Sequence, residues 1–179
     1  VRSRGLGDVY KRQIHTRYST QQAILEDIVA SLYAQGMRKL IILSGHGGNN
    51  FKGMIRDLAF VYPDFLIIAA DWFSIVPPKD YFEAVVDDHA GESETSVMMH
   101  YHPELVNLAE AGDGESQPFA IPSLNEKVGW APRHWDKATV DSGVGNPKKA
   151  SAEKGKRYMK PVVEKLAKLF TEVGLGSLY

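Results

Sequence analysis

The order of local signals predicts an α/β protein with a mainly parallel sheet. Three observations carry that prediction. Amphipathic helical spacing alternates with short β-branched apolar runs, and the connections between them are brief. One of those runs leads directly into a glycine-rich loop, the usual ligand-binding position at the carboxyl edge of a parallel sheet. With 179 residues, 44% of them hydrophobic and 24% charged, the chain can build one domain with a real core but hardly two.

Residues 1–13 (VRSRGLGDVYKRQ) stand apart, with Arg2, Arg4, Lys11 and Arg12 alongside two glycines and no sustained apolar run. They fit neither a secretory signal nor a helix or strand. They resemble the adaptor-like leaders translated at the broken ends of assembled reads, with a native basic arm as the other reading, so the domain is expected over 14–179. Ser19 and Gln22 have capping-box spacing, and Ile24, Leu25, Ile28, Val29, Leu32 and Tyr33 follow on one helical face until Gly36 ends the run. Lys39 to Leu43 (KLIIL) reads as a parallel strand buried on both faces. After the loop at 44–50, Phe51, Met54, Ile55 and Leu58 mark a second helix that stops before Pro63, and Phe65 to Ala70 is a second buried strand. A third helix is expected from Gly91 to Tyr101. Gly112 to Gly145 reads as a long ordered loop or short extra strands, and a last helix from Ser151 to Val173 carries Tyr158, Val162, Leu166 and Leu169 on one face.

Composition narrows the function. Lys+Arg 21 against Asp+Glu 22 leaves a net charge of -1, with no surplus of cations for nucleic acid or an anionic membrane surface. The longest apolar stretch, Phe65 to Ala70, is far short of the roughly 20 residues that span a bilayer. With no cysteine, a bound metal would have to use His, Asp or Glu.

Two histidine-bearing segments hold the candidate chemistry. His46 sits among Gly45, Gly47 and Gly48 directly after the first strand, where glycines let a ligand approach the backbone. It reads either as a functional residue or as the exposed tip of a tight turn. The same loop, 44–50, admits a third reading as an anion cradle built from backbone amides, although it matches no phosphate-loop pattern and contains no Lys or Arg. In the second segment, His89 to Ser96 (HAGESETS), helical spacing puts Glu94 on the face of Val97, Met98 and Tyr101. Glu92 falls on the face of Thr95, Ser96 and His100, as a solvated first-turn residue. A carboxylate aimed into a core must be paired, hydrogen-bonded or metal-bound, which makes Glu94 the candidate ligand, with stabilisation of the helix N-terminus as the alternative. His89 is either an acid/base group or a capping histidine.

Four ordered blocks, SGHGGN (44–49), HAGESETS (89–96), GVGNP (143–147) and ASAEKG (150–155), together resemble the creatininase (creatinine amidohydrolase) family, in its GHGGN branch. The resemblance implies a three-layer α/β/α fold and a dinuclear site of divalent metal, zinc first, with manganese or iron as alternatives. It implies hydrolysis of an amide-type C–N bond in a cyclic amide, a formamide or a peptide, by a metal-bridged hydroxide. By the same resemblance His46 is a metal ligand, Glu94 a second, and His89 the catalytic histidine that contacts substrate or shuttles protons. Gly47, Gly48 and Trp72 are expected to border the substrate, Trp72 otherwise being a lid over the core. A homo-oligomer, hexameric in the family, and a cytoplasmic location are also implied.

Two departures qualify the resemblance. Gly48 stands where creatininase proper carries a metal-binding glutamate, so ring opening of creatinine itself is not expected. No segment like GSxExHGxHLPxxxD precedes Ile14, and so the expectation is a member shortened by about a third at its N-terminal side, with inactivity through lost ligands as one reading. His100, His102 and His134 read as surface or loop residues. The competing hypothesis is a small-molecule or anion-binding module that uses the loop at 44–50.

Overall fold

The computed structural model describes residues 16–177, so the segment 1–13 lies outside the described residues. The first helix, α1 (Tyr18–Ala34), starts one residue before the expected box, and Arg17 is its N-cap without a side-chain hydrogen bond. Ser19 is therefore inside the helix and caps nothing. The other end is as expected. Gly36, at φ 84°, donates to the Tyr33 carbonyl, and Met37 donates to that of Leu32, the paired bonds of a glycine-terminated helix.

Strand β1 (Lys39–Ser44) pairs in parallel with β2 (Leu66–Asp71), Lys39 opposite Leu66 and Ser44 opposite Asp71, with α2 (Lys52–Val61) as the crossover. The helix–strand–helix–strand order of the prediction is thus present. Leu25 and Val29 of α1, Met54 and Leu58 of α2, and Phe65 and Ile67 form one buried cluster, with Leu40 and Ile42 partly buried against it. One correction concerns β1. It was expected to be buried on both faces, yet only Ser44 is buried and Leu43 is 51% exposed. Leu40 and Ile42 pack on the cluster, whereas Lys39 and Leu43, which alternate with them along β1, are exposed.

The next segment forms β3 (Asp87–His89) and α3 (Glu92–Tyr101), followed by single helical turns at Pro103–Leu105 and Leu108–Glu110. The region 112–145 is ordered as expected, with short helices α4 (Pro122–Asn125) and α5 (Trp135–Ala138). Strand β4 (Val144–Gly145) closes it, pairing antiparallel with β3. The last helix, α6 (Ala152–Leu175), buries Tyr158, Val162 and Leu166 at four-residue spacing, as the sequence requires.

These elements fall into two compact units, Thr16–Pro77 with the chain from Lys160 onward, and Pro78–Met159. His46 belongs to the first unit, His89 and Glu94 to the second. In the first, the Lys39 ammonium donates to the Val173, Gly174 and Gly176 carbonyls at 2.7, 3.3 and 2.6 Å, tying β1 to the end of α6. In the second, Tyr158 is wedged edge-on between Tyr81 and Phe82, with ring centroids 5.4 and 5.1 Å away. Among the described residues no helix is long and apolar enough to cross a membrane.

Candidate active site

The richest constellation lies where β3 turns into α3. Ala90, between His89 and Gly91, has φ 51°, a left-handed conformation that costs a non-glycine residue roughly 1–2 kcal/mol. Its neighbours hold it there. The Ala90 amide donates to Glu94 Oε2 at 2.7 Å, and its carbonyl accepts from the Thr95 hydroxyl at 3.1 Å. Asp87 accepts from the Ser93 amide at 3.0 Å, satisfying a donor of the first helical turn, and burial raises its carboxyl pKa.

His89 is thereby fixed in place. Its Nδ1 lies 3.9 Å from Glu94 Oε2, too long for a hydrogen bond but close enough for charge to matter. Both side chains are about one-third exposed, at 31% and 36%. The imidazole meets the edge of Trp135 with ring centroids 5.2 Å apart, and Arg133 lies 4.7 Å over the same indole while pairing with Asp88 at 2.7 Å. An open, mainly apolar cavity of about 330 Å³ adjoins the turn, lined among others by Ala90, Glu94, Thr95, Met98, Leu105 and Pro147.

Of the two glutamates of α3, Glu92 departs from the environment expected from spacing. Glu94 is half-buried beside exposed Met98 and Tyr101, whereas Glu92, expected in solvent, is fully buried at 0%. The reason is that the buried face of α3 is its small one. Ser96 is also fully buried, and its carbonyl faces Gly155 of α6 so closely that a Cβ built on the glycine would overlap it. Glu92 Oε2 accepts from the Glu83 and Ala84 amides at 2.9 and 2.8 Å, and Oε1 from the Lys154 ammonium at 2.5 Å. Lys154 also reaches Glu83 Oε1 at 2.9 Å and the Lys149 carbonyl at 3.0 Å. Its bond to Glu92, then that to Glu83, raises the lysine pKa, and Lys149 followed by Lys154 pulls Glu83 down to about 2.

Of the residues singled out by sequence, the structure joins His89 and Glu94 in one turn and His46 and Trp72 in another. The His46 loop follows β1, and His46 is exposed. Its Nδ1 accepts the Gly48 amide at 2.9 Å, and Trp72 Nε1 donates to the Gly45 carbonyl at 3.3 Å, bringing the indole beside the loop. A Cβ on Gly47 would meet only the Phe73 ring at 3.8 Å, so room rather than strain surrounds that glycine. Two amides of the loop are engaged within it, Gly48 by His46 and Asn49 by the His46 carbonyl, and that of Lys52 bonds to Asn50 Oδ1.

The donors also test the expected metal. Nδ1 of His46 accepts the Gly48 amide, and a cation would compete with that amide for the imidazole. One oxygen of Glu94 is committed to the Ala90 amide. No group of three or more His, Asp or Glu suited to a metal occurs among the described residues.

Sequence reasoning missed Asp87, Lys154 and Glu83. Only the lysine had a usable signal, in the ASAEKG block.

A family model described as creatininase, creatinine amidohydrolase, matches residues 7–170, beginning inside the segment 1–13. A Bacteroides fragilis protein of solved structure, assigned as a creatinine amidohydrolase, is 82% identical with a TM-score of 0.90, over 93% of this chain and 66% of that one. The mycofactocin precursor peptide peptidase of Mycobacterium ulcerans is 32% identical over 131 residues, which cover 70% of this chain and 45% of the relative. The creatinine amidohydrolase of Pseudomonas putida is 23% identical over 169 residues. A mutant creatininase of Zn–Zn type shares the fold at TM-score 0.66 and 21% identity. The chain spans somewhat under half the length of the mycobacterial relative and about two thirds of the Bacteroides one.

Proposed function

The chain belongs to the creatininase family, and from that premise we propose that it is an amidohydrolase in which His89 moves the proton during cleavage of a C–N bond in a small-molecule or peptide amide. One observation carries the reading: in the HAGESETS block His89 stands 3.9 Å from Glu94 across a single strained turn, and Ala90 and Glu94 of that turn line a cavity. Imidazole is suited to give and take a proton near neutral pH. A water loses a proton to His89 as its oxygen bonds to the carbonyl carbon. The same proton then passes to the amide nitrogen as the C–N bond breaks. The Glu94 carboxylate lies 3.9 Å from Nδ1 on one side of the ring.

His46 and Glu94 would be ligands of the divalent metal that the resemblance implies, which when bound would polarise the amide carbonyl and acidify the attacking water. Peptide and formamide substrates are favoured over creatinine, since Gly48 stands where creatininase proper has a glutamate. Self-association, hexameric in the longer parent by the resemblance, is supported by the exposed Ile24 and Ile28 of α1 and Leu43 of β1.

The test is amine release from a panel of a formamide, a short peptide and creatinine. His89→Ala is expected to lower kcat roughly 10²–10⁴-fold. A variant as fast as the wild type would end the assignment.

A further inference from the structure

Glu92 has a place in the structure that the proposed reaction leaves unexplained. A carboxylate with no exposure needs full compensation, and this one has it: two consecutive amides on one oxygen and an ammonium on the other. Lys154 is equally saturated, with Glu92, Glu83 and the Lys149 carbonyl as its three acceptors. Such a node contributes little net stability, because replacing a buried pair with apolar side chains of similar size is often neutral. What it does provide is fixed geometry.

The geometry fixed here is that of the His89 turn. The backbone of Glu92 begins α3 while its side chain grips residues 83 and 84, so one residue pins both ends of the stretch 84–92. His89 lies inside that closed loop. Asp87 on the Ser93 amide, and Glu94 and Thr95 on the two ends of Ala90, finish the clamp from within. Lys154 anchors the assembly to the start of α6. We infer that the Glu92–Lys154 pair is a positioning device for His89, holding the imidazole against Trp135 and beside Glu94 rather than serving the fold at large. The inference rests on the reading of His89 as the proton-transfer group.

The test uses the full chain with both partners replaced, Glu92→Met with Lys154→Met, which removes the pair without stranding a charge. The double variant is expected to melt cooperatively near the wild-type temperature and to lose the nuclear Overhauser cross-peak between the His89 and Trp135 rings. On the amide identified by the substrate panel, kcat should fall roughly 10–100-fold with KM little changed, the scale of a misplaced catalytic group. A folded double variant that keeps the cross-peak overturns the inference. Should it not fold, Glu83→Gln decides, because Glu83 is exposed and its loss only loosens Lys154. A weakened cross-peak and a roughly 2–5-fold lower kcat are expected, and an unchanged pair of readings overturns the inference as well. If His89→Ala hydrolyses like the wild type, the proposed function fails, while the ring-to-ring cross-peak still judges the positioning.

Discussion

The two histidine turns of this protein are built by different means. The His46 turn is held mainly by short-range bonds: its imidazole accepts an amide two residues on, its carbonyl accepts the Asn49 amide, and from outside Trp72 donates to the Gly45 carbonyl. The His89 turn is held from outside, by carboxylates of α3 and by a lysine 62 residues further along the chain. A turn held mainly by short-range bonds can be exposed and tolerant. A turn clamped by distant side chains keeps a strained residue such as Ala90 in place, and it depends on every member of the clamp.

The largest expected effect separates them. Lys154→Met alone leaves the fully buried Glu92 without its cation and should cost about 3–5 kcal/mol in urea unfolding. His46→Ala removes one exposed acceptor and should cost no more than about 1 kcal/mol. Comparable costs for the two would mean that the clamp is no different in kind from the His46 loop.

Next in size is Gly155→Ala. The new methyl group would overlap the Ser96 carbonyl, a backbone atom that cannot swing aside. Separating α3 from α6 should cost about 1–3 kcal/mol. If the variant is as stable as the wild type, the two helices are not in the close contact on which the Lys154 anchor relies.

This close contact also explains what could be read from sequence. Elements α1 to β2 and the His46 loop were legible because their signals are local: Ile24 to Tyr33 at helical spacing, Gly36 as stop, KLIIL as strand. The family blocks located both turns. The roles of Glu92 and Glu94 were not legible, because apolar spacing assigned the core face of α3 to Val97, Met98 and Tyr101. Met98 and Tyr101 are exposed, and the face that packs carries Glu92 and Ser96 instead. A helix that buries a serine and an ion-paired glutamate against a glycine has no apolar signature. Its partner lies 62 residues away, beyond any local pattern. The expected burial of β1 on both faces failed for a similar reason, since composition reports a strand's preference and not how many neighbours cover it.

A smaller effect is expected in the unit that holds His46. Lys39 satisfies three carbonyls at the end of α6, groups that otherwise turn to water. Lys39→Met should cost about 0.5–1.5 kcal/mol and raise amide exchange only in the last turn of α6. Faster exchange throughout β1 and α1 would instead make Lys39 a keystone of the whole unit.

The smallest effect concerns acid. Lys149 and Lys154 hold the Glu83 carboxyl at about 2, below its ordinary 4.5. A carboxylate whose pKa is lower in the folded than in the unfolded state contributes its stabilisation above the unfolded value. That contribution fades as pH falls from about 4.5 toward about 2, because the unfolded chain takes up the proton first. Glu83 is exposed and shares its lysines with Glu92, so the change is small and local. Unfolding of the wild type and of Glu83→Gln, compared at neutral pH and again near pH 3, should show a difference that narrows with acid. The His46 loop contains no carboxylate, so its amide exchange should not respond to the Glu83 substitution at either pH. A difference between wild type and Glu83→Gln that stays constant across that range would mean that Glu83 acts through packing rather than charge. The outer arm of the clamp would then be no more electrostatic than the His46 loop.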